Sequence, residues 1–166
     1  GGGVWGVYPG FTNLVVQDLE GRNDCSFLER KITPEQLARV PGYVQARTTE
    51  GMTVGGVALG PLSGRWVASL FHPVRNVQGH RAGLISLPID LEVLGGRMLA
   101  AVPANALVVV VDAQGRILMR SQDARTWTGL PLPGPMRTMV GSSPGTMAAV
   151  QSADGVERLF AVADVP

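Results

Sequence analysis

The sequence predicts an α+β fold made of two copies of one module, each an antiparallel sheet with flanking helices. Residues 53–91 read as three strands in succession with tight turns, running into a helix, which is a meander. LVVQDLEGR at 14–22 returns as VVVVDAQGR at 108–116, each an apolar strand that ends in Asp-x-x-Gly-Arg. Each copy then passes through an irregular or helical connection into a hairpin with a polar-glycine turn. Self-similarity at so long a spacing means two copies of a module rather than a solenoid of short repeats.

Taken in order, FTNLVVQ (11–17) is a strand, and DLEGR is the turn that delivers a short partner strand ending near Ser26. Asp18 can hydrogen-bond the turn backbone while Gly21 takes the positive φ, and Asp112 and Gly115 repeat that chemistry. In ITPEQLARV, Thr33 suits an N-cap and Pro34 the first helical position, with Leu37 and Val40 at helical spacing. Pro41 and Gly42 interrupt that helix, and 43–49 is a second short helical piece.

Within the meander, Pro61 pre-sets φ in the LGPLSG turn and Gly64 tolerates φ > 0, and NVQG turns the chain again. The second strand (65–74) is rich in Val, Trp and Phe, and the third (81–87) alternates small and aliphatic residues. Residues 89–102 carry Leu91, Leu94, Met98, Leu99 and Val102 at a helical period. The Gly95-Gly96 pair weakens it by about 1 kcal/mol per glycine relative to alanine. Pro103 ends it. Residues 107–121 are an apolar strand, a turn and a return strand; 124–132 and LPGP read as loop, MRTMV as a helical turn, and 145–163 as a hairpin about SADG.

The domain boundaries expected from this are 1–10 as a tag remnant or ragged edge, 11–95 as the first module and 96–166 as the second. Neither module reads as whole: almost nothing precedes the first strand, and the second copy stops after two of three meander strands.

Composition narrows the function. The 166 residues are 45% hydrophobic with positive mean hydropathy, which excludes a disordered tail. Net charge is +1 with scattered arginines, so there is no footprint for nucleic acid. No apolar run approaches the roughly 18–20 residues of a membrane span. The opening GGGVWGV lacks the basic n-region and cleavage site of a signal peptide. Cys25 is the single cysteine, so intrachain disulfides and multi-cysteine zinc sites are excluded, and it reads as a small filler at a strand end.

Catalysis finds no constellation. His72 and His80 sit at the two ends of one hairpin with no third metal ligand near, and GGVALG is not followed by a helix that could cradle phosphate. The acids Asp18, Asp112 and Asp154 are turn formers. The expectation is a non-enzyme without a cofactor.

Several stretches together resemble the double Cache (tandem PAS-like) extracytoplasmic sensor domains of bacterial transmembrane receptors. In the first module these are NLVVQDLEGR, YVQA, VGG, LSGRW and HPVRNVQGHRAGLISLPIDLEVL; in the second, VVVVDAQGRILMRSQDARTWTGLPL and SADGVERLFAVADVP. The hairpin ending in Pro-Val, then four residues and Gly, then a Gly-aliphatic strand and Asp-Leu-x-x-Leu, is the most specific part. The resemblance implies two PAS-like modules, membrane-distal and membrane-proximal, with the long N-terminal helix and the final strand of the second module missing. It implies a periplasmic position between spanning helices outside this chain. It also implies small-molecule sensing on behalf of a cytoplasmic histidine kinase, diguanylate cyclase or chemoreceptor region, and a possible homodimer. The alternative is a ligand-free dimerisation or spacer domain.

In many members of that family an Arg-x-Trp-Tyr stretch and an Asp near the last strand hold the two charged ends of an amino acid. Here Tyr43 is kept, but Val40 stands for Arg, Gly42 for Trp and Pro88 for Asp. The candidate ligand-binding residues are Tyr43, Arg47, Trp66, Ser69, Phe71 and Ser86. With no acidic residue to pair a buried cation, a neutral or carboxylate ligand is favoured over an amine.

Overall fold

The computed structural model describes residues 9–165. Its first half is one antiparallel sheet of five strands in the order β2-β1-β5-β4-β3. The expected meander is β3 (Thr53–Leu59), β4 (Trp66–Arg75) and β5 (Arg81–Asp90). The β4–β5 hairpin is paired from Val67↔Asp90 to Arg75↔Arg81, with Asn76 closing its turn by accepting from the backbone N–H groups of Gln78 and His80. β1 (Val15–Asp18) lies antiparallel on the free side of β5, and β2 (Asn23–Ser26) forms the outer edge.

The strand expected from residue 11 begins as a single bridge, Phe11↔Ile89, and resumes as β1 at Val15. Gly10 and Thr12 are also tied to β5, Gly10 O accepting from Asp90 N at 2.7 Å and Thr12 N donating to Pro88 O at 2.9 Å. Residues 1–8 lie outside the described residues, and with them most of the stretch expected as a tag or ragged edge. Cys25 differs from expectation. It is exposed on edge strand β2 rather than packed as a filler.

The chain crosses from β2 to β3 through two short helices, α1 (Pro34–Ala38) and α2 (Tyr43–Ala46). Thr33 caps α1 reciprocally: its Oγ1 accepts from Gln36 N and the Gln36 side chain accepts from Thr33 N. Leu37, Tyr43 and Ala46 from this crossover pack with Ile32, Phe71 and Leu84 into the first core. Burying each large apolar side chain there is worth about 1.5–3 kcal/mol. The alternation of β4 sets which side is inside: Val67, Ser69 and Phe71 are buried toward the helices, while Trp66, Ala68 and Leu70 occupy the opposite face.

β5 runs to Asp90, beyond the strand end expected at residue 87, and α3 (Leu91–Met98) starts later and stops sooner than the expected 89–102. Asp90 accounts for the later start. Its backbone pairs with Val67 while its carboxylate caps α3, accepting from Glu92 N at 2.9 Å and Val93 N at 3.2 Å.

The second half repeats the order of the first as β6 (Val109–Val111), β7 (Ile117–Arg120), α4 (Ala124–Trp127), α5 (Gly134–Val140), β8 (Met147–Gln151) and β9 (Glu157–Ala161). The turn echo holds atom for atom. Asp18 Oδ1 accepts from Glu20 N and Arg22 N at 3.0 and 2.8 Å, and Asp112 Oδ1 from Gln114 N and Arg116 N, both at 2.9 Å. Gly21 and Gly115 take φ of 81° and 74°. Residues 124–132, expected as loop, contain the single turn of α4, entered through Asp123 at a positive φ of 50°.

Here the strands form two separate pairs, β6-β7 and β8-β9, around a core of Ile117, Leu132 and Met136. A groove of about 830 Å³ runs along β6 and the end of β9. The two pairs are joined by Arg120, 2% exposed, whose Nη2 lies 2.9 Å from Asp154 Oδ2 in the β8–β9 turn and whose guanidinium sits 5.4 Å from the centre of the Trp127 ring. The halves meet where Gly129 presses on Trp66: at φ 83°, a Cβ on Gly129 would fall 2.1 Å from the indole.

Candidate functional site

A cavity of about 50 Å³ lies between the first sheet and its crossover. Its floor comes from the inward positions of four strands: Val15 and Gln17 on β1, Ser86 on β5, Val67, Ser69 and Phe71 on β4, and Ala58 on β3. Ile32, Leu37 and Val40 cover it, and the 60–63 turn closes one end with Leu62 and Ser63. One water needs about 10–15 Å³ measured this way, so the space suits a molecule of a few heavy atoms.

The wall is apolar apart from a few neutral groups. Among the described residues no charged side chain lines it. Asn13 is fully employed: Oδ1 accepts from Leu14 N at 2.9 Å and Leu28 N at 3.1 Å, and Nδ2 donates to Ser26 Oγ at 3.2 Å. Gln17 is not. It is 1% exposed, its Nε2 donates to Ser86 Oγ at 3.3 Å, and its buried Oε1 has no hydrogen-bond partner among the described residues. A carbonyl removed from water without a partner loses its hydration with nothing to offset the desolvation penalty.

Of the candidate residues, Ser69, Phe71 and Ser86 come together on the cavity floor. Tyr43 stands one layer behind, buried edge-on against Phe71 with ring centres 6.1 Å apart, and burial pushes its hydroxyl pKa up. Arg47 is turned to the β1–β2 turn, where Nη2 donates to Leu19 O at 2.9 Å. Trp66 is on the far face of β4, against Gly129. Gln17 was missed: beside the turn residue Asp18 it reads as a strand end, although it keeps the parity of the inward Val15.

The first half is a five-stranded antiparallel sheet with a helical crossover over one face, and the second half follows the same order of elements. No protein-family profile and no curated protein matches the sequence. Among solved structures, the ligand-binding domain of the Pseudomonas fluorescens chemoreceptor CtaA, in complex with L-isoleucine, superposes with a TM-score of 0.62 at 17% identity over 93% of this chain and 62% of that one. The V. cholerae histidine kinase DctB sensor domain gives 0.58 at 20% identity, over 81% of this chain and 50% of that one. The extracellular domain described for histidine kinase rpHK1S-Z16 gives 0.70 at 15% identity, over 95% and 67%. The chain thus spans about three fifths of the chemoreceptor domain it matches (62%). At these identities the likeness establishes the fold alone, an α+β fold shared with these ligand-binding and sensor domains. Among the described residues no helix is long and apolar enough to cross a membrane.

Proposed function

We propose that this chain is the extracytoplasmic sensing domain of a transmembrane signalling protein and takes a small molecule in the cavity of its first, membrane-distal module. The observation that carries this is the incompletely bonded, fully buried Gln17 amide beside Ser86 in a largely apolar, uncharged cavity. Other buried polar atoms also lack partners among the described residues, those of Asn23, Thr53 and Thr128, but of these residues only Gln17 lines the cavity, where a ligand could complete the bond. That the solved neighbours include ligand-binding and sensor domains favours the same reading.

The mechanism is a population shift. Ligand bridges the sheet floor to Leu37 and Val40 and favours the closed crossover, which biases the flanking helices of a receptor pair toward one signalling state. A differential affinity of about 1–3 kcal/mol between the two states suffices. A thermal-shift screen of the domain against amino acids, organic acids, amides, polyols, purines and amines tests it. Saturable stabilisation following RT ln(1 + [L]/Kd) by any class supports sensing. A flat screen on a folded domain points to the ligand-free dimerisation or spacer role.

A further inference from the structure

We infer that the first-module cavity selects a small uncharged ligand bearing an N–H or O–H donor, and that the side-chain amide of Gln17 holds it. This rests on the cavity being a ligand site and adds the chemistry of what enters.

Three features converge. Gln17 lines the cavity, is 1% exposed, and leaves Oε1 unpartnered, so a ligand donor would complete a bond that the fold leaves unmade. Ser86 Oγ accepts from Gln17 Nε2 and so keeps its own proton to give, and Ser69 stands beside it on the same face of the sheet, one strand over. An acceptor and hydroxyl donors in one wall match a primary amide or an alcohol. Turning the Gln17 amide over exchanges its ends, and a primary amide, with both donor and acceptor, satisfies that arrangement too.

The third feature is charge. No ionised side chain lines the cavity among the described residues, and the cation among the candidate residues, Arg47, is bonded to Leu19 O instead. A carboxylate or an ammonium would be stripped of water with no opposite charge to replace it, only neutral hydroxyls and an amide. The apolar remainder of the ligand packs on Phe71, Leu37 and Val40.

The test is a ¹H–¹⁵N NMR titration of the domain with three probes of similar size: propionamide, propionate and n-butylammonium. Propionamide is expected to shift the Gln17 side-chain amide and the Ser69 and Ser86 backbone amides saturably. In Gln17→Leu its affinity should fall about tenfold or more, the scale of one lost buried hydrogen bond. Arg47→Ala should bind as wild type does, and a thermal melt of Gln17→Leu confirms that the variant is folded. Cavity shifts with propionate or n-butylammonium in preference to propionamide would overturn the uncharged class while leaving the cavity a ligand site. Unaltered propionamide binding in Gln17→Leu would overturn the role of Gln17. Silence with all three probes overturns this inference, and the wider thermal-shift screen then decides whether the sensing proposal falls with it.

Discussion

Gln17 and Ser86 meet across the β1–β5 seam at 3.3 Å, and this one bond leaves the other end of a buried amide without a partner among the described residues. The two residues stand 69 positions apart in sequence. Only the return of β1 alongside the meander brings them together. The seam therefore does two things: it completes the five-stranded sheet and it builds the polar part of the cavity wall.

If that polarity serves binding rather than folding, its removal should not weaken the fold. The double variant Gln17→Leu/Ser86→Ala takes away the orphaned acceptor and its partner together and leaves an apolar floor. Chemical denaturation should find it as stable as wild type or more stable by about 1 kcal/mol. A loss beyond about 1 kcal/mol would mean that the pair holds the sheet together.

The contact between the halves can be measured at Gly129. A Cβ there would enter the Trp66 indole at 2.1 Å, with the backbone at φ 83°. Gly129→Ala should cost about 2–4 kcal/mol, since neither a ring nor its strand can step aside cheaply. In a Trp66→Ala background the cost should fall to the left-handed strain alone, about 1 kcal/mol. Equal costs in both backgrounds would show that Trp66 and Gly129 are not coupled.

Asp90 ends β5, caps α3 and pairs with Arg65, and it is 2% exposed. Asp90→Ala removes all of this and should destabilise by about 2–3 kcal/mol. Asp90→Asn keeps a capping oxygen and loses only the ion pair, whose Arg65 end is mostly in solvent, so it should cost about 1 kcal/mol. Urea melts of the two variants separate cap from charge; indistinguishable losses would put the stabilisation in the ion pair.

Local chemistry was the legible part. The Asp-x-x-Gly-Arg turns, the Thr33 cap and the Asn76 turn are each written within five residues, and each forms as expected. The candidate site was legible in part. Trp66 and Phe71 lie five apart on one strand, and an odd separation sends them to opposite faces, so both could not face one cavity. Parity alone does not say which face the helices cover, and that answer comes from the crossover packing Leu37 and Tyr43 on Phe71. Gln17 was hidden for the complementary reason. Its burial depends on β5, a strand its own neighbourhood does not encode.

Acid should loosen the second half of the chain through Asp154. Its carboxylate accepts from Arg158 and from Ser152, and also from Val156 N and Arg120, and these bonds hold its pKa well below the usual carboxylate range, the Arg158 bond contributing most. A native pKa below the unfolded one, about 3.9 for aspartate, means that the unfolded chain takes up the proton first. The stabilisation is then complete above about pH 4 and is lost progressively as pH falls from there toward the native value. Asp18 and Glu35 are also held below their ordinary values, so the acid limb of wild type is a sum over several groups. Asp154→Asn isolates one of them. Melting temperature followed by circular dichroism from pH 7 to pH 2 should start lower in the variant at neutral pH and fall less steeply below pH 4, the two curves converging in acid. Parallel curves would mean that the Arg120–Asp154–Arg158 cluster is already broken at neutral pH, and that the β6–β7 and β8–β9 pairs are held by their apolar core alone.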